Sequence, residues 1–296
     1  MKSLTIRVPE GFDLARTARS HGWGGLLPFE QGDDGSLLRV LDYGGDAGPL
    51  TIVVSAARGG LRVGLSRPPG AGERRRVVRN VRHMLRLDED LTDFYAATAR
   101  EPEFAWVARD GAGRLLRSPT VYEDLVKSLC TTNCSWALTL KMVSGLVGGL
   151  GREGADGRRA FPTPEAMAAA PVEFYREVAR AGYRAPYLKE LAVRVAGGEL
   201  DPESWLDSGL PTPELRREMK RVLGVGDYAA ENLLKLVGRY DVLALDSWVR
   251  AKFARKHNSG RPCPDSKIAR RYARFKEWRG LALWCDMTRD WFPAEV

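Results

Sequence analysis

The sequence predicts an α+β fold in which a small antiparallel-sheet domain precedes a mostly α-helical region, and three observations carry that prediction. Residues 3 to 66 alternate short apolar runs (LTIRV, LLRVL, LTIVVSA, LRVGLS) with Gly and Asp clusters such as QGDDGS and DYGGDAG, the pattern of strands joined by hairpins. The segment SRPPGAGERRR then breaks the pattern with Pro, Gly and charge, which sets a boundary near residue 70. Beyond it, apolar residues recur at spacings of three and four. The expected domains are therefore 1–70 and 71–296.

Within the first domain one amphipathic helix, near FDLARTARSHG, interrupts the strands. In the second, helices are expected in VVRNVRHMLRL, in YEDLVKSLCTTNCSWALTLKMVSGLV, in PEAMAAAPVEFYREVARAG, in PYLKELAVRVAGG and in PTPELRREMKRVL. Ser118 with Pro119, Thr163 with Pro164 and Thr212 with Pro213 each place a capping hydroxyl before a proline at the first helical position. No internal repeat or low-complexity tract interrupts the pattern.

With 296 residues, 44% of them hydrophobic, the chain can bury a sizeable core. Lys and Arg number 46 against 38 Asp and Glu, a formal charge of +8 that suits a polyanionic partner. The basic residues crowd the last third, from Arg250 and Lys252 through Arg255, Lys256, Arg261, Lys267, Arg270, Arg271, Arg274, Lys276 and Arg279, so that part is expected to face a phosphate backbone. There is no stretch of about 18 apolar residues to span a bilayer and no apolar signal at the start, so the expectation is a cytoplasmic, soluble protein without a membrane partner. No dimerising segment is apparent, and a monomer is expected. Cys130, Cys134, Cys263 and Cys285 form no close CxxC pair and read as packing thiols.

The most informative stretch is PTPELRREMKRVLGVGDYAAENLLKLVGRYDVLALDSWVRAKFARKH. A helix bearing Leu215, Met219 and Val222 on one face stops at Gly224-Val225-Gly226, and a second starts at once. Glycines around one apolar residue allow a tight turn and leave amide N–H groups unshielded at the positive end of the second helix, where a phosphate can sit. Twenty residues past Gly226 comes Asp246, in VLALD just before another helical run. By local pattern alone Asp246 is a helix N-cap.

The combination of LGVGDYAAENLL with LALDSWVR resembles the helix-hairpin-helix and catalytic-aspartate signature of the HhH-GPD superfamily, which includes 8-oxoguanine DNA glycosylase and 3-methyladenine DNA glycosylase II. Upstream, RLLRSPTVYEDLVKSLCTTNCSW is similar to the first core helix and asparagine-bearing turn of the 8-oxoguanine enzyme, and AGYRAPYLKELA to its wedge segment. The sheet-rich N-terminal region is similar to the TBP-like domain of both enzymes.

The resemblance implies a base-excision repair enzyme that flips a damaged base from double-stranded DNA and hydrolyses its N-glycosidic bond, with Asp246 as the catalytic carboxylate. It implies that the amides of Gly224 and Gly226 hold a phosphate, that Arg250 contacts DNA, and that Asn133 and Tyr183 with Arg184 enter the duplex. Carbonyls of Lys220, Val222 and Val225 would coordinate a structural Na+ or K+; no other cofactor is required. Leu223 stands where the family usually has proline. The base pocket is expected to include Tyr228, Asn232, Trp248 and Leu283, with Trp136, Trp278 and Trp284 as further stacking candidates. Leu283 replaces the glutamine that the 8-oxoguanine enzyme sets on its base, which favours an alkylated purine, whose bond is already weakened. The alternatives are an 8-oxoguanine-type glycosylase and a non-catalytic helix-hairpin-helix DNA-binding protein. No Cys-x6-Cys-x2-Cys-x5-Cys cluster is present, so no iron-sulfur cluster is expected. Tyr228 occupies the position of the bifunctional branch's catalytic lysine, and Lys235 lies seven residues further along the same helix, about 10 Å of rise away. A monofunctional enzyme without lyase activity is therefore expected.

Overall fold

Strict alternation builds the N-terminal sheet. In β1 (Ser3–Ile6) Leu4 and Ile6 are buried while Ser3 and Thr5 face outward, and in β5 (Gly60–Leu65) Leu61, Val63 and Leu65 are the buried set. With β2 (Phe29–Gln31), β3 (Leu37–Leu41) and β4 (Leu50–Ala57) they form one antiparallel sheet in the order β1-β5-β4-β3-β2. The register pairs Ile52 with Leu65 and Val54 with Val63, so the apolar faces of β4 and β5 coincide. Three-residue β2 is too short to show a period and is absent from the sequence reading. Helix α1 (Leu14–Ala18) is capped by Asp13, which accepts from the Arg16 amide at 2.7 Å.

The computed structural model describes residues 3–70 and 72–292, and the helical part runs through α2 (Glu73–Met84), α3 (Thr92–Ala99), α4 (Ala105–Arg109), α5 (Val121–Thr131), α6 (Trp136–Leu150), α7 (Pro164–Ala169), α8 (Val172–Glu177) and α9 (Ala185–Ala196). It continues through α10 (Thr212–Met219), α11 (Asp227–Leu236), α12 (Ser247–His257), α13 (Asp265–Tyr272) and α14 (Arg279–Thr288). Thr163 caps α7 as expected, accepting from Ala166 N at 3.2 Å. The other two expected caps differ. Thr120, not Ser118, caps α5 by accepting from Glu123 N at 3.2 Å, because the buried Ser118 is held by its own amide, which donates to Asp124 Oδ1 at 2.9 Å. Thr212 is already inside α10 and makes no side-chain cap.

Hydrophobic packing divides the chain elsewhere than at residue 70. One core joins the sheet and α2 to α5, α6, α9, α10 and α11, and a second joins residues 91–115 to 240–287. A five-stranded sheet buries too little on its own, and here it shares its apolar face with helices. Polar ties cross the same seam. Arg39 of β3 donates to both oxygens of Glu123 at 2.7 and 2.5 Å, where Lys127 of the same helix as Glu123 adds a 2.7 Å ion pair, and Trp23 donates to Asp124 at 2.6 Å. Among the described residues no helix is long and apolar enough to cross a membrane.

Candidate active site

Between the two cores lies a cavity of about 1500 Å³. Five separate segments wall it: residues 21–23, the α5–α6 turn, the start of α9, the α10–α11 hairpin with α11, and residues 245–250, closed by Trp284.

The hairpin is a partly exposed wall. Gly224 takes φ +86°, and a Cβ there would meet Tyr187 Cδ2 at 2.5 Å, so this position requires glycine twice over. Gly226 is different: its backbone is extended (φ −87°, ψ −173°) and a Cβ would touch nothing within 4 Å. The left-handed constraint therefore belongs to the first glycine, while the second keeps its surroundings open to an outside molecule. The amides of Gly224 and Gly226 donate to no group among the described residues, and α11 begins directly behind them. That is the arrangement an anion needs. Leu223 is exposed on the same turn.

Across the cavity, Asp246 caps α12: Oδ1 accepts from Val249 N at 2.6 Å. Its other oxygen, Oδ2, has no hydrogen-bond partner among the described residues. Capping and chemistry are thus compatible, because the cap fixes the carboxylate and leaves one oxygen on the cavity wall. Tyr228 lines the cavity with Thr131 and Asp246, and burial pushes its phenol above the ordinary range, so it is a neutral hydroxyl. Asn232 sits one turn further on, its side-chain amide donating to the Tyr228 carbonyl at 2.9 Å.

The α5–α6 turn and the start of α9 form one unit. Asn133 is exposed with φ +46°, and Tyr183 is 53% exposed, its ring 6.0 Å from that of Tyr187. Arg184 departs from expectation. It is buried, its guanidinium donates to the Thr132 carbonyl and to Thr132 Oγ1 at 3.3 Å, and its face lies 4.3 Å from the Tyr183 ring centroid. It ties the two segments together and, being buried, is not presented at the surface as the resemblance implied.

Two further expectations are corrected. Leu283 is 1% exposed inside the second core and does not reach the cavity, because α14 turns its neighbour Trp284 that way. Trp278 is packed in that core as well, stacked 5.5 Å from Tyr240. Part of the basic C-terminal third is paired internally: Arg250 binds Asp265 twice at 2.8 Å, Lys256 pairs with Asp286 at 2.6 Å, and Lys252, Arg271 and Arg274 pair with Asp290 and Glu103. Arg255, Arg261, Lys267, Arg270, Lys276 and Arg279 make no ion pair within 4 Å among the described residues, Lys267 bonding Asn258 and Arg279 the Asp241 carbonyl. Arg250 still lines the cavity rim beside Asp246.

The floor joins two expected tryptophans to residues that sequence reasoning set aside or missed. Trp248 and Trp284 lie 5.8 Å apart, and Trp284 is anchored by its indole N–H to the Ser20 carbonyl at 2.8 Å. Lys235 is 4% exposed, lines the cavity, and holds its Nζ 4.4 Å from the Trp284 ring centroid. Burial brings its ammonium down to about 8, against the opposing pull of Asp246 and Glu231. A signal for it was present, since Tyr228, Asn232 and Lys235 stand at i, i+4 and i+7 on one face of α11. His21 is also there, hydrogen-bonded to the Leu116 carbonyl and driven by burial down to about 3, hence neutral. Nothing in its local sequence marks it.

No family model and no curated protein sequence matches the chain. Solved structures do. The chain superposes on the 8-oxoguanine glycosylase/lyase of Clostridium acetobutylicum with a TM-score of 0.75, at 20% identity over 97% of this chain and 96% of that one. It superposes on the 3-methyladenine DNA glycosylase of Archaeoglobus fulgidus with a TM-score of 0.72, at 20% identity over the whole of both chains (100% each). A 3-methyladenine DNA glycosylase of Schizosaccharomyces pombe, solved in complex with abasic DNA, matches 74% of this chain and 98% of its own at 19% identity, with a TM-score of 0.51. The chain has the fold of these glycosylases from end to end, sheet domain included where the first two are concerned.

Proposed function

We propose that the chain is a DNA glycosylase that extrudes a damaged base from duplex DNA into the cavity and hydrolyses its N-glycosidic bond with water. The observation that carries this reading is Asp246: one carboxylate oxygen fixed by a 2.6 Å cap bond, the other without a partner, on a cavity rimmed by free hairpin amides. Breaking the C1′–N bond builds positive charge on the sugar, and a fixed carboxylate stabilises it. Water then forms the C1′–O bond, and its proton passes to Asp246 or to the departing base. Tyr183, exposed and braced by Arg184 from behind, is placed to fill the stack that the extruded base leaves, and Asn133 stands beside it.

The hairpin also suits a monovalent cation. The carbonyls of Lys220 and Val225 accept no hydrogen bond among the described residues, and that of Val222 accepts one, from Val225 N at 3.0 Å. Carbonyl oxygens suit a hard cation, which would offset phosphate charge at the turn.

The reading is monofunctional, because a lyase needs an amine at C1′ and the phenol of Tyr228 cannot form a Schiff base. Leu283 no longer bears on the substrate, since it is outside the cavity. The test is a panel of duplexes, each with one defined lesion, scored for released base, with borohydride added to half of each reaction and hot alkali to the rest. Base release, alkali-dependent strand breaks and no trapped complex are expected. A covalent complex that disappears in Lys235→Met would overturn the monofunctional assignment, and no base release from any lesion would overturn the glycosylase reading.

A further inference from the structure

We infer that a second cleft, at the far end of α11 from the hairpin, binds a small phosphate ester, a molecule of nucleotide size whose charged end meets a cluster of guanidinium groups and whose organic part lies on an apolar wall. The site is separate from the cavity, and the inference does not depend on the glycosylase reading.

The cleft has a volume of about 780 Å³ and shares no lining residue with the cavity. Val237 and Gly238, directly after α11, form one side, and α2 forms another with Arg75, Arg79 and Arg82 at i, i+4 and i+7. The length of α11 puts about 15 Å between this end and the hairpin.

Positive charge here exceeds what the chain neutralises. Arg82 pairs with Asp88, and Arg86 pairs with Glu89 at 3.1 Å while donating to the Lys235 and Leu236 carbonyls at 2.8 and 2.6 Å. Arg117 donates only to carbonyls, those of His83 at 2.9 Å and Leu236 at 3.3 Å. Arg74, Arg75 and Arg79 are exposed and have no ion-pair partner within 4 Å among the described residues. Against these four guanidinium groups stands one unpaired acid on the wall, Asp207. Burial, with Arg86 close by, brings Arg117 down to about 10, so the like charges are felt within the fold.

His83 points the same way. Its ring lines the cleft, yet its Nε2 is buried and makes no hydrogen bond among the described residues. A buried polar atom left open is costly. Burial drives the ring down to about 3, hence neutral, and a neutral imidazole can carry its proton on Nε2 and donate it to a phosphate oxygen. Guanidinium forks match phosphate oxygens in pairs.

A duplex does not suit this place. The recess lies within the size range of small-molecule pockets, and Val78, Leu206 and Val237 give it an apolar wall. DNA held at the hairpin is too stiff to fold back over about 15 Å.

The chain has three histidines, His21 in the cavity, His83 in the cleft and His257 beside Asp286, so imidazole proton–nitrogen spectra of the full chain report each place separately. Signals are assigned with His21→Gln and His83→Gln. Inorganic pyrophosphate, ADP and an undamaged duplex are titrated at about 0.15 M salt. ADP and pyrophosphate should move the His83 signals, ADP with a Kd below about 1 mM and more tightly than pyrophosphate, and the duplex should leave those signals in place. Arg75→Gln/Arg79→Gln, exposed on α2, should keep the wild-type melting temperature and weaken ADP by about tenfold or more, whereas Gly226→Ala should bind ADP as wild type. The proposal is overturned if ADP moves only His21, if its affinity is lost in Gly226→Ala and kept in the arginine variant, or if only the duplex moves His83. Equal affinities for ADP and pyrophosphate would remove the apolar wall from the site.

Discussion

The rim of the cavity and its floor are built on different principles. The rim is mostly backbone, the amides of Gly224 and Gly226 and the carbonyls of the same turn, joined by the capped carboxylate of Asp246 and by Arg250. The floor is side chain: Lys235, His21, Trp248 and Trp284, drawn from three remote parts of the chain. The rim would face what every lesion shares, a phosphate and a sugar; the floor would face what differs, the base. A shared target permits a contiguous motif, whereas a variable one is met by positions that change independently.

The largest expected effect tests whether the rim carries chemistry. Asp246→Asn keeps an oxygen to cap α12 and removes the charge, so the fold should hold within about 1 kcal/mol. Excision should fall by a factor of about 10²–10³, the scale of losing one fixed electrostatic partner of a transition state. Binding to lesion duplex should stay near wild type, since the hairpin is untouched. Single-turnover excision with a parallel gel-shift titration checks both, and excision at the wild-type rate would remove Asp246 from the chemistry.

Tyr183→Ala comes next and asks whether the rim extends to the α9 wall. The ring is 53% exposed and buries little in the fold. Its loss should therefore leave the melting temperature unchanged, while weakening binding to a duplex with an abasic analogue by about 1–3 kcal/mol, the range for an aromatic stacked on a base. Equal affinity would make Tyr183 a bystander, and equal losses on intact and abasic-analogue DNA would make it a general contact.

The same division explains what was legible beforehand. The hairpin could be read because turn, amides and helix start are adjacent in sequence, and Asp246 because a cap position follows an apolar run. Arg184 was misplaced because burial depends on Thr132, which is remote in sequence. Leu283 and Trp284 illustrate the limit best: one residue of helical rotation decides between core and cavity, and periodicity in an almost wholly apolar stretch (GLALW) does not fix the phase. Lys235 was legible as a face-mate of Tyr228 and Asn232, but rise along the helix was weighed without the reach of a long side chain. His21 had no signal of any kind.

The floor makes a prediction of its own, in stability. Burial moves His21 from 6.5 to about 3, and His83, in the last turn of α2, likewise from 6.5 to about 3. Unfolded chains protonate both imidazoles as pH drops below 6.5 while the folded state does not, so the unfolded state binds more protons and stability falls with pH across that window. At pH 5, relative to pH 8, each histidine should cost about 2 kcal/mol. Urea unfolding at both values should show His21→Gln recovering about half of the loss, and an unaltered pH dependence in that variant would show that the floor histidine is solvated.

The smallest expected effect separates the two glycines of the hairpin, and with them the structural from the binding role of the rim. Gly224→Ala meets both an unfavourable φ and a contact with Tyr187, so it should cost about 1–3 kcal/mol in folding and disturb DNA binding only through that damage. Gly226→Ala has neither problem, since its φ of −87° is ordinary and nothing stands within 4 Å of the new methyl. Its melting temperature should match or slightly exceed wild type, because alanine restricts the unfolded chain. If a phosphate approaches that amide, the methyl stands in its path, and affinity should fall about threefold to tenfold for lesion and intact duplex alike, with the salt slope reduced by about one. Affinities measured at two salt concentrations for both variants decide the matter. A Gly226→Ala chain that binds as wild type would return the turn to a purely structural role and leave the cavity's DNA contacts to be sought along Arg250 and the α9 wall.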